Sequence, residues 1–262
     1  MSVQVLIATM NQTDHSLLKK MNIQSDAIVS NQCDFNKIEE FTYNGYNIKF
    51  ISFAEKGVGL NRNNALMRAD ADYCLFADDD LVYVDGYPQI VENEFKKHPN
   101  ADVLIFNLIE QERKKSTISK EFKVNWFNFM RFGTSRIAIR TKSIHFNGIF
   151  FNLYFGGGAK YSFGEDTLFL ASCLKKKLKI IAVPVYIARL TNERPSTWFR
   201  GYTDQYFYDK GVLFYQISKR YCKFLCLQDV IRHRKLYSNG GMWDNFKIMA
   251  YAINDIRHGK LR

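Results

Sequence analysis

Three adjacent carboxylates, Asp78, Asp79 and Asp80, directly follow the apolar run DYCLFA at residues 72–77. This run has the composition of a buried strand, and in an open α/β sheet ligands bind beyond the carboxyl ends of the strands. Mg²⁺ prefers oxygen ligands and is usually held by one or two carboxylates together with substrate phosphates. The sequence therefore predicts a site for a divalent cation and phosphate groups, and a simple turn is the alternative use of these aspartates.

The spacing within this cluster favours two of its members as metal ligands. Asp78 and Asp80 are two residues apart, so in an extended segment their side chains point the same way. We expect both to bind Mg²⁺ or Mn²⁺. An EF-hand is excluded because the alternating acids and the loop glycine do not fall at its required offsets.

A second group of candidate residues lies upstream, in the segment GVGLNRNN. Gly57 and Gly59 allow a tight turn, and Asn61 or Asn63 can begin a helix. Arg62 would then lie near the helix N-terminus, where it could reach a phosphate or a base. The glycine spacing alone is a weak signal.

A third group is the acidic pair Glu165 and Asp166 in the segment GEDTLF. Acidic residues are favoured in the first turn of a helix, because they oppose the positive end of the helix dipole. From the residues alone, helix capping is the simpler explanation of this pair, and a catalytic carboxylate is the alternative.

The elements that must position these residues follow an alternating pattern. Apolar runs rich in β-branched residues predict strands at residues 3–9, 26–30, 48–53, 72–77 and 101–109. Segments with helical periodicity lie between them, at residues 16–22, 35–41, 61–69 and 87–98. Several of the strands are apolar throughout, as in a sheet covered on both faces. We therefore predict an α/β fold, with a mostly parallel central sheet and helices on both faces.

The pattern changes after about residue 110. Residues 111–165 are polar, aromatic and rich in glycine, and we expect an irregular binding surface there. A helix at 166–177 and a strand at 179–190 follow, and the remainder reads as mainly helical. The aromatic stretch PSTWFRGYTDQYFYDKG at 195–211 suits either stacking on sugar rings or core packing.

Charge and composition narrow the function classes. The chain has 262 residues, a formal net charge of +11 and 47% hydrophobic residues, enough for a proper core. Residues 219–262 hold ten Lys and Arg but only three Asp, a net charge of +7. This indicates an acidic partner, which could be nucleic acid, an anionic membrane or a phosphorylated substrate, unless the charge serves only solubility.

Two observations bear on the compartment. The five cysteines match no zinc or disulfide spacing, which indicates a reducing compartment. The apolar start of the chain is too short for a signal peptide and reads as a first strand, and no later run is long enough to span a bilayer. We expect a cytoplasmic protein, with peripheral attachment to the inner face of the plasma membrane left open.

Four motifs in a fixed order resemble the inverting nucleotide-sugar glycosyltransferases of family 2, which have a GT-A fold. In chain order they are VLIATMN, GVGLNRNNAL, ADDD and GEDTLF. The similarity covers about residues 1–200. It implies that Thr9 lies against the nucleotide base, that Asp80 holds a metal ion on the two phosphates, and that Asp166 is the general base.

The resemblance also assigns the remaining site residues. The implied nucleotide-sugar-binding residues are Thr9, Asn11, Asn31, Gln32, Arg62, Asp78 and Asp79. The implied metal ligands are Asp80 and Asp78. On the acceptor side we expect Glu165 together with Trp198, which could stack on a sugar ring, and Arg194 and Arg200, which could hold a phosphate.

The chain departs from the family pattern at two places. Asn31 and Gln32 stand where an acidic turn is common, and an amide can still pair with a pyrimidine edge. The late metal-binding histidine of some members has no clear counterpart near residues 189–199.

The resemblance implies the following organisation and partners. Residues 1–200 would form the catalytic domain, with a nucleotide-sugar half at 1–110 and an acceptor half at 111–200, and residues 201–262 a helical basic extension packed on it. The donor would be UDP-linked, and the acceptor a glycan or a lipid-linked glycan of a surface polysaccharide such as capsule or lipopolysaccharide. A homodimer is left open.

Two other functions use some of the same features. A metal-dependent phosphohydrolase needs similar carboxylates, but too few acids and histidines remain for a two-metal site. A nucleic-acid-binding protein would explain the positive charge, but not an acidic cluster at the end of a buried strand. We therefore expect no nucleic acid partner.

Overall fold

The structure is a computed structural model, and it describes residues 1–109, 117–191, 201–237 and 241–259. Within these residues ten strands form one sheet. Their bounds are β1 Val3–Met10, β2 Asp26–Gln32, β3 Lys37–Tyr43, β4 Tyr46–Phe53, β5 Tyr73–Asp78, β6 Leu81–Tyr83, β7 Val103–Ile109, β8 Phe122–Lys123, β9 Ile137–Arg140 and β10 Ile180–Leu190.

Eight α-helices and two short 3₁₀ helices accompany the sheet in the described parts of the chain. The α-helices are α1 Ser16–Lys20, α2 Val58–Leu66, α3 Tyr87–Lys97, α4 Thr141–Phe146, α5 Glu165–Lys175, α6 Asp204–Ile217, α7 Cys222–Arg232 and α8 Met242–Arg257. The 3₁₀ helices are Phe129–Arg131 and Thr134–Arg136.

The strand directions confirm the predicted fold class. The sheet order is β3-β4-β2-β1-β5-β9-β7-β10-β6, with β8 beside β10. Strands β4, β2, β1 and β5 are mutually parallel. Strand β9 is antiparallel to both β5 and β7, so β7 and its parallel neighbour β10 run in the same direction as β5. Six of the ten strands therefore share one direction, which gives a mixed but mostly parallel sheet.

Helices cover both faces of this sheet because alternate side chains of each strand point to opposite faces. On one face, Val5 belongs to a buried cluster with Leu18 of α1 and Val91 of α3. On the other, the ring of Phe76 meets that of Phe169 of α5 edge-on, with 5.4 Å between centroids. The carboxyl ends of β1, β2 and β5 are thus held between two layers of helices.

Six predicted strands are confirmed as β1, β2, β4, β5, β7 and β10, but the helix predicted at residues 35–41 is wrong. That segment lies largely in β3, which pairs with β4 in an antiparallel hairpin. The connecting residues Asn44 and Gly45 have φ angles of 50° and 87°. An Asn-Gly pair with two positive φ angles is the preferred two-residue hairpin turn. This turn signal outweighs the helical spacing of the apolar residues before it.

Residues 111–165 are also more regular than predicted, because they supply β9 to the middle of the sheet. Ile137, Ala138 and Ile139 are all 0% exposed, between β5 and β7. A run of four residues is too short for periodicity to identify as a strand.

Two compact units are present, and we describe each by itself. The sheet unit consists of the described residues of 1–153 and 165–191. The helical unit consists of 154–164, 201–237 and 241–259. The predicted division at residue 200, and the functions assigned to its parts, remain predictions.

The helical unit combines α6, α7 and α8 with the glycine-rich segment 154–164. Asp209 in α6 is 1% exposed and accepts hydrogen bonds from the backbone N–H and the hydroxyl of Ser162, at 2.9 and 2.8 Å. Gly211 packs directly on the backbone of Met249 in α8. These contacts fix the glycine-rich segment on α6.

Two further predictions can be compared with the structure. The five cysteines are all free, and four of them are buried. Among the helices that the structure describes, none combines the length and the apolar character that crossing a bilayer requires.

Candidate active site

Asp78, the last residue of β5, is joined to α5 through the buried side chain of Arg62. Arg62, in α2, is 6% exposed and donates hydrogen bonds to Asp78 Oδ1 and Glu165 Oε1, both at 2.7 Å. The hydroxyl of Ser135 donates to the other oxygen of Asp78 at 2.8 Å. A buried cation therefore links carboxylates from a strand and a helix that are far apart in the sequence.

The opposite charges in this network stabilise one another. Burial alone would lower the pKa of Arg62, but Asp78 and Glu165 outweigh that effect and raise it. The guanidinium also lies 5.5 Å from the ring centroid of Phe151. Arg62 therefore stays charged and gives both Asp78 and Glu165 a buried cationic partner.

Asp166 follows Glu165 in the first turn of α5. Its Oδ1 accepts a hydrogen bond from the backbone N–H of Thr167 at 2.6 Å. Burial and the neighbouring charge of Glu165 raise the pKa of Asp166 to about 7, against the opposing effects of Thr167 and Arg62. A carboxylate with this pKa is matched to accepting a proton near neutral pH.

A second polar network lies where β1 and β5 end. The hydroxyl of Thr9 donates to Asp79 Oδ2 at 2.7 Å and accepts a hydrogen bond from the amide of Gln12 at 2.9 Å. The backbone carbonyl of Asp80 accepts bonds from the N–H and the hydroxyl of Thr191, at 2.7 and 2.9 Å. The turn after β5 is therefore tied to both β1 and the segment after β10.

A small cleft of about 180 Å³ opens beside this turn. It is lined by Gln12, Ser16, Leu17, Lys20, Asp79, Asp80 and Thr191. Two carboxylates and one ammonium group together can hold a cation and phosphate oxygens. A cleft of this size suits the diphosphate part of a nucleotide, because sites for whole drug-sized ligands occupy about 300–1,000 Å³.

The predicted alignment of Asp78 and Asp80 in one extended segment does not hold. Strand β5 ends at Asp78, and Asp79 and Asp80 form a turn before β6. Because the chain turns there, Asp79 and Asp80 line the cleft, whereas Asp78 is bonded to Arg62 and Ser135.

The carboxylate oxygens at this turn can hold a divalent cation only together with phosphate oxygens of a bound nucleotide. In the described parts of the chain, no three His, Cys, Asp or Glu side chains converge as a metal site. Both oxygens of Asp78 already accept hydrogen bonds, and its role as a metal ligand remains a prediction. Asp79 and Asp80 with two phosphate oxygens form the set of ligands that Mg²⁺ commonly takes.

Comparison with known families decides the class of this protein. Residues 29–157 match the model of the family described as Glycosyl transferase family 2. The chain carries a glycosyl transferase family 2 domain. The matched residues include Arg62, the three aspartates and Ser135.

Solved structures show the same fold. S. aureus TarS 1–349 in complex with UDP-GlcNAc is similar over 99% of this chain and 92% of that chain, with a TM-score of 0.64 and 14% identity. Its complex with UDP has a TM-score of 0.61 and 15% identity over the same shares of both chains. The match to S. aureus TarS has a TM-score of 0.62 and 17% identity, over 89% of this chain and 43% of that chain. At these identities the likeness shows the fold alone, and it confirms the GT-A-like class.

No curated protein matches the chain in sequence.

Three of the predicted nucleotide-binding residues make contacts within the loops, and their roles in binding remain predictions. Asn31 is 0% exposed, and its amide bonds with both the backbone N–H and the carbonyl of Gln12, at 2.9 and 3.0 Å. Gln32 accepts a bond from the backbone N–H of Gly57 at 2.8 Å. Asn11, with a φ of 54°, donates its N–H to the carbonyl of Gln32. The side chains of Asn31 and Gln32, and the backbone of Asn11, thus fix the loops on which Gln12 and Gly57 lie.

Sequence reasoning missed several residues of the site. Ser135 is 57 positions from Asp78, and no local pattern connects the two. Gln12 and Lys20 line the cleft but belong to no motif, although Gln12 lies two residues after the end of β1 at Met10. Three predicted acceptor residues, Arg194, Trp198 and Arg200, lie outside the described residues, and their roles remain predictions.

Proposed function

We propose that this chain transfers a sugar from a nucleoside diphosphate sugar, UDP-linked, to a hydroxyl group of a glycan or lipid-linked glycan, with inversion at the anomeric carbon. The observation that carries the proposal is Asp166, a carboxyl group with a pKa of about 7, next to the network of Asp78, Arg62 and Glu165. The UDP-GlcNAc and UDP in the TarS complexes support a UDP-linked donor.

On the donor side, the cleft beside β5 is the proposed diphosphate site. Lys20 and Gln12 bring a positive charge and an amide to phosphate oxygens. Asp80 and Asp79 would hold Mg²⁺ or Mn²⁺ against the same oxygens. Such an ion, when bound, neutralises negative charge on the departing nucleoside diphosphate. Asp78, fixed by Arg62, is proposed to contact the ribose or the sugar.

On the acceptor side, Asp166 is the proposed general base. The acceptor oxygen forms its bond to the anomeric carbon from the face opposite the diphosphate, whose bond to that carbon breaks. The hydroxyl proton passes to Asp166, and inversion follows. General-base catalysis of this kind contributes a factor of roughly 100 to 10,000 in rate. Glu165 is bonded to Arg62 and is therefore assigned to positioning this turn of α5.

Replacing the base tests the proposal. We expect Asp166→Asn to reduce sugar transfer by at least roughly 100-fold while the affinity for the donor stays nearly unchanged. The asparagine has the same shape but cannot take the proton. Transfer is measured with a set of UDP-sugars and glycan acceptors, and donor affinity by calorimetry.

The matched control is Asp70→Asn, at an exposed aspartate before β5. It should leave transfer unchanged. An Asp166→Asn variant that turns over at the wild-type rate would remove Asp166 from the mechanism.

The acceptor is proposed to belong to a surface polysaccharide, capsule or lipopolysaccharide, with transfer on the cytoplasmic side of the membrane. A thermal-shift panel with UDP, GDP, CDP and oligonucleotides, each with and without Mn²⁺, separates this function from its rivals. Stabilisation by one nucleoside diphosphate that depends on Mn²⁺ is the expected result. Stabilisation by oligonucleotides alone would favour nucleic-acid binding instead.

A further inference from the structure

Helix α7 of the helical unit has one face buried in the unit and one face open to solvent. Cys222, Cys226 and Val230 are each 0% exposed and point inward. Phe224 and Ile231, seven residues apart and so on the same side of the helix, are 64% and 51% exposed. Two large apolar side chains therefore lie in solvent on the outward face of the helix.

The segment that contains this helix is strongly basic. Residues 219–237 contain six Lys and Arg, and all six are exposed: Lys219, Arg220, Lys223, Arg232, Arg234 and Lys235. The single acidic residue in this segment is Asp229, which is 7% exposed. The solvent-facing part of the segment therefore carries six positive charges and no acidic side chain.

Asp229 does not reduce this charge, because its carboxylate is turned into the unit. Its oxygens lie 2.8 Å from Nζ of Lys210 and 2.9 Å from Nδ1 of His233. The hydroxyl of Tyr237 donates to it at 2.7 Å. Lys210 in α6 thus neutralises Asp229 inside the unit, and this aspartate does not offset the six outer charges.

We propose that the outward face of α7 and the exposed cations of residues 219–235, together called the basic face of α7, dock on an anionic phospholipid bilayer. Phe224 and Ile231 would enter the boundary between headgroups and acyl chains, and the surrounding cations would lie among the phosphates. A helix with an apolar strip flanked by Lys and Arg is typical of binding in the plane of a membrane surface. A second copy of the chain is disfavoured as the occupant, because two such faces repel each other.

This inference gives the proposed lipid-linked acceptor a place of contact, but its test requires no sugar transfer. The purified full chain is sedimented with vesicles of phosphatidylglycerol and phosphatidylcholine, and with vesicles of phosphatidylcholine alone. We expect binding to the anionic vesicles alone, and a marked loss of binding at high salt because exposed charges are then screened.

Neutralising the face tests its location. The triple variant Lys223→Gln, Arg232→Gln and Lys235→Gln should bind anionic vesicles at least roughly tenfold more weakly. The control Lys96→Gln, Lys142→Gln and Lys176→Gln removes the same charge from exposed lysines of the sheet unit and should bind like the wild type. The variant Phe224→Ser with Ile231→Ser keeps every charge and should also weaken binding, with its helix content unchanged by circular dichroism.

Several outcomes would overturn the inference. These are wild-type protein that does not bind anionic vesicles, binding that is equally strong to neutral vesicles, or a control variant that weakens binding as much as the triple variant. A dimer that Phe224→Ser with Ile231→Ser dissociates, with vesicle binding intact, would make a second copy the occupant. If the protein binds vesicles but transfers no sugar, the proposed glycosyltransferase function is wrong and the membrane inference stands.

Discussion

Arg62 makes the clustering of acidic side chains at this site physically tolerable. Asp78 and Glu165 would each be destabilised beside the other without an intervening cation, and the guanidinium bonds to both at 2.7 Å. Its planar shape serves two carboxylates at once, which a lysine could not do with the same geometry. The residue that sequence reasoning assigned to a phosphate or a base is therefore committed to protein carboxylates.

Removing this cation should destabilise the fold. We expect Arg62→Met to lower the free energy of unfolding by about 3 kcal/mol, because the two carboxylates lose their buried partner. This value is at the lower end of the range usual for breaking a buried ion pair, because the side chain of Asp78 is 36% exposed. Urea denaturation measures the change. The control Arg68→Met, at an exposed arginine just after α2, should stay within about 0.5 kcal/mol of the wild type.

Asp166 sets a pH dependence with a definite sign. A base must be deprotonated to act, so the transfer rate should fall about tenfold for each pH unit below the pKa of about 7 and level off above it. The measurement is kcat/KM from pH 5 to 9 at constant ionic strength. A rate that stays constant from pH 5 to 8 would show that no group with this pKa acts as the base.

At the residue scale, the sequence indicated the acidic groups but not their partners. The run of three aspartates and the pair Glu165 and Asp166 could be found because unusual residues stand together. The bonds of Ser135 to Asp78 and of Asn31 to the Gln12 backbone depend on tertiary contacts across 57 and 19 residues. No local pattern encodes contacts of that kind.

At the scale of elements, the close packing of α2 against residues 151–152 fixes the position of Arg62. A Cβ atom on Gly59 would lie 2.8 Å from the backbone oxygen of Asn152. The side chain of Asn63 also bonds to the backbone of Phe151, both as donor and as acceptor, at 2.9 and 2.8 Å. Packing therefore favours glycine at position 59, a residue that the sequence analysis assigned to a tight turn.

Gly59→Ala should therefore destabilise the protein by about 1–3 kcal/mol, because a backbone atom cannot move aside easily. The loss is measured by thermal or urea unfolding. Gly157→Ala is the control, since a Cβ there meets no atom within 4 Å. If Gly59→Ala is as stable as Gly157→Ala, the packing of α2 described here is wrong.

The elements themselves were predictable where local and tertiary signals agree. Parallel strands buried on both faces are apolar throughout, so β1, β2, β5 and β7 could be predicted from the sequence. Strand β3 was missed because the Asn44-Gly45 turn was given less weight than periodicity. Strand β9 was missed because its partners, Tyr73–Leu75 and Val103–Ile105, are distant in the sequence.

At the scale of the whole molecule, the net charge of +11 is the sum over surfaces of different charge. The sheet unit presents carboxylates at the ends of its strands, where a metal–diphosphate site is proposed. The helical unit presents the basic face of α7, where a membrane is proposed. The sequence could locate the excess of positive charge in residues 219–262, but only the structure shows that Asp229 is turned inward and the cations outward.

The most direct test of the central claim is a crystal structure of the protein with UDP and Mn²⁺. The diphosphate is predicted to lie in the cleft beside β5, within hydrogen-bonding distance of Lys20 or Gln12 and with the ion bound to Asp80. A nucleotide bound elsewhere, with this cleft containing only water, would contradict the proposed donor site and the mechanism that depends on it.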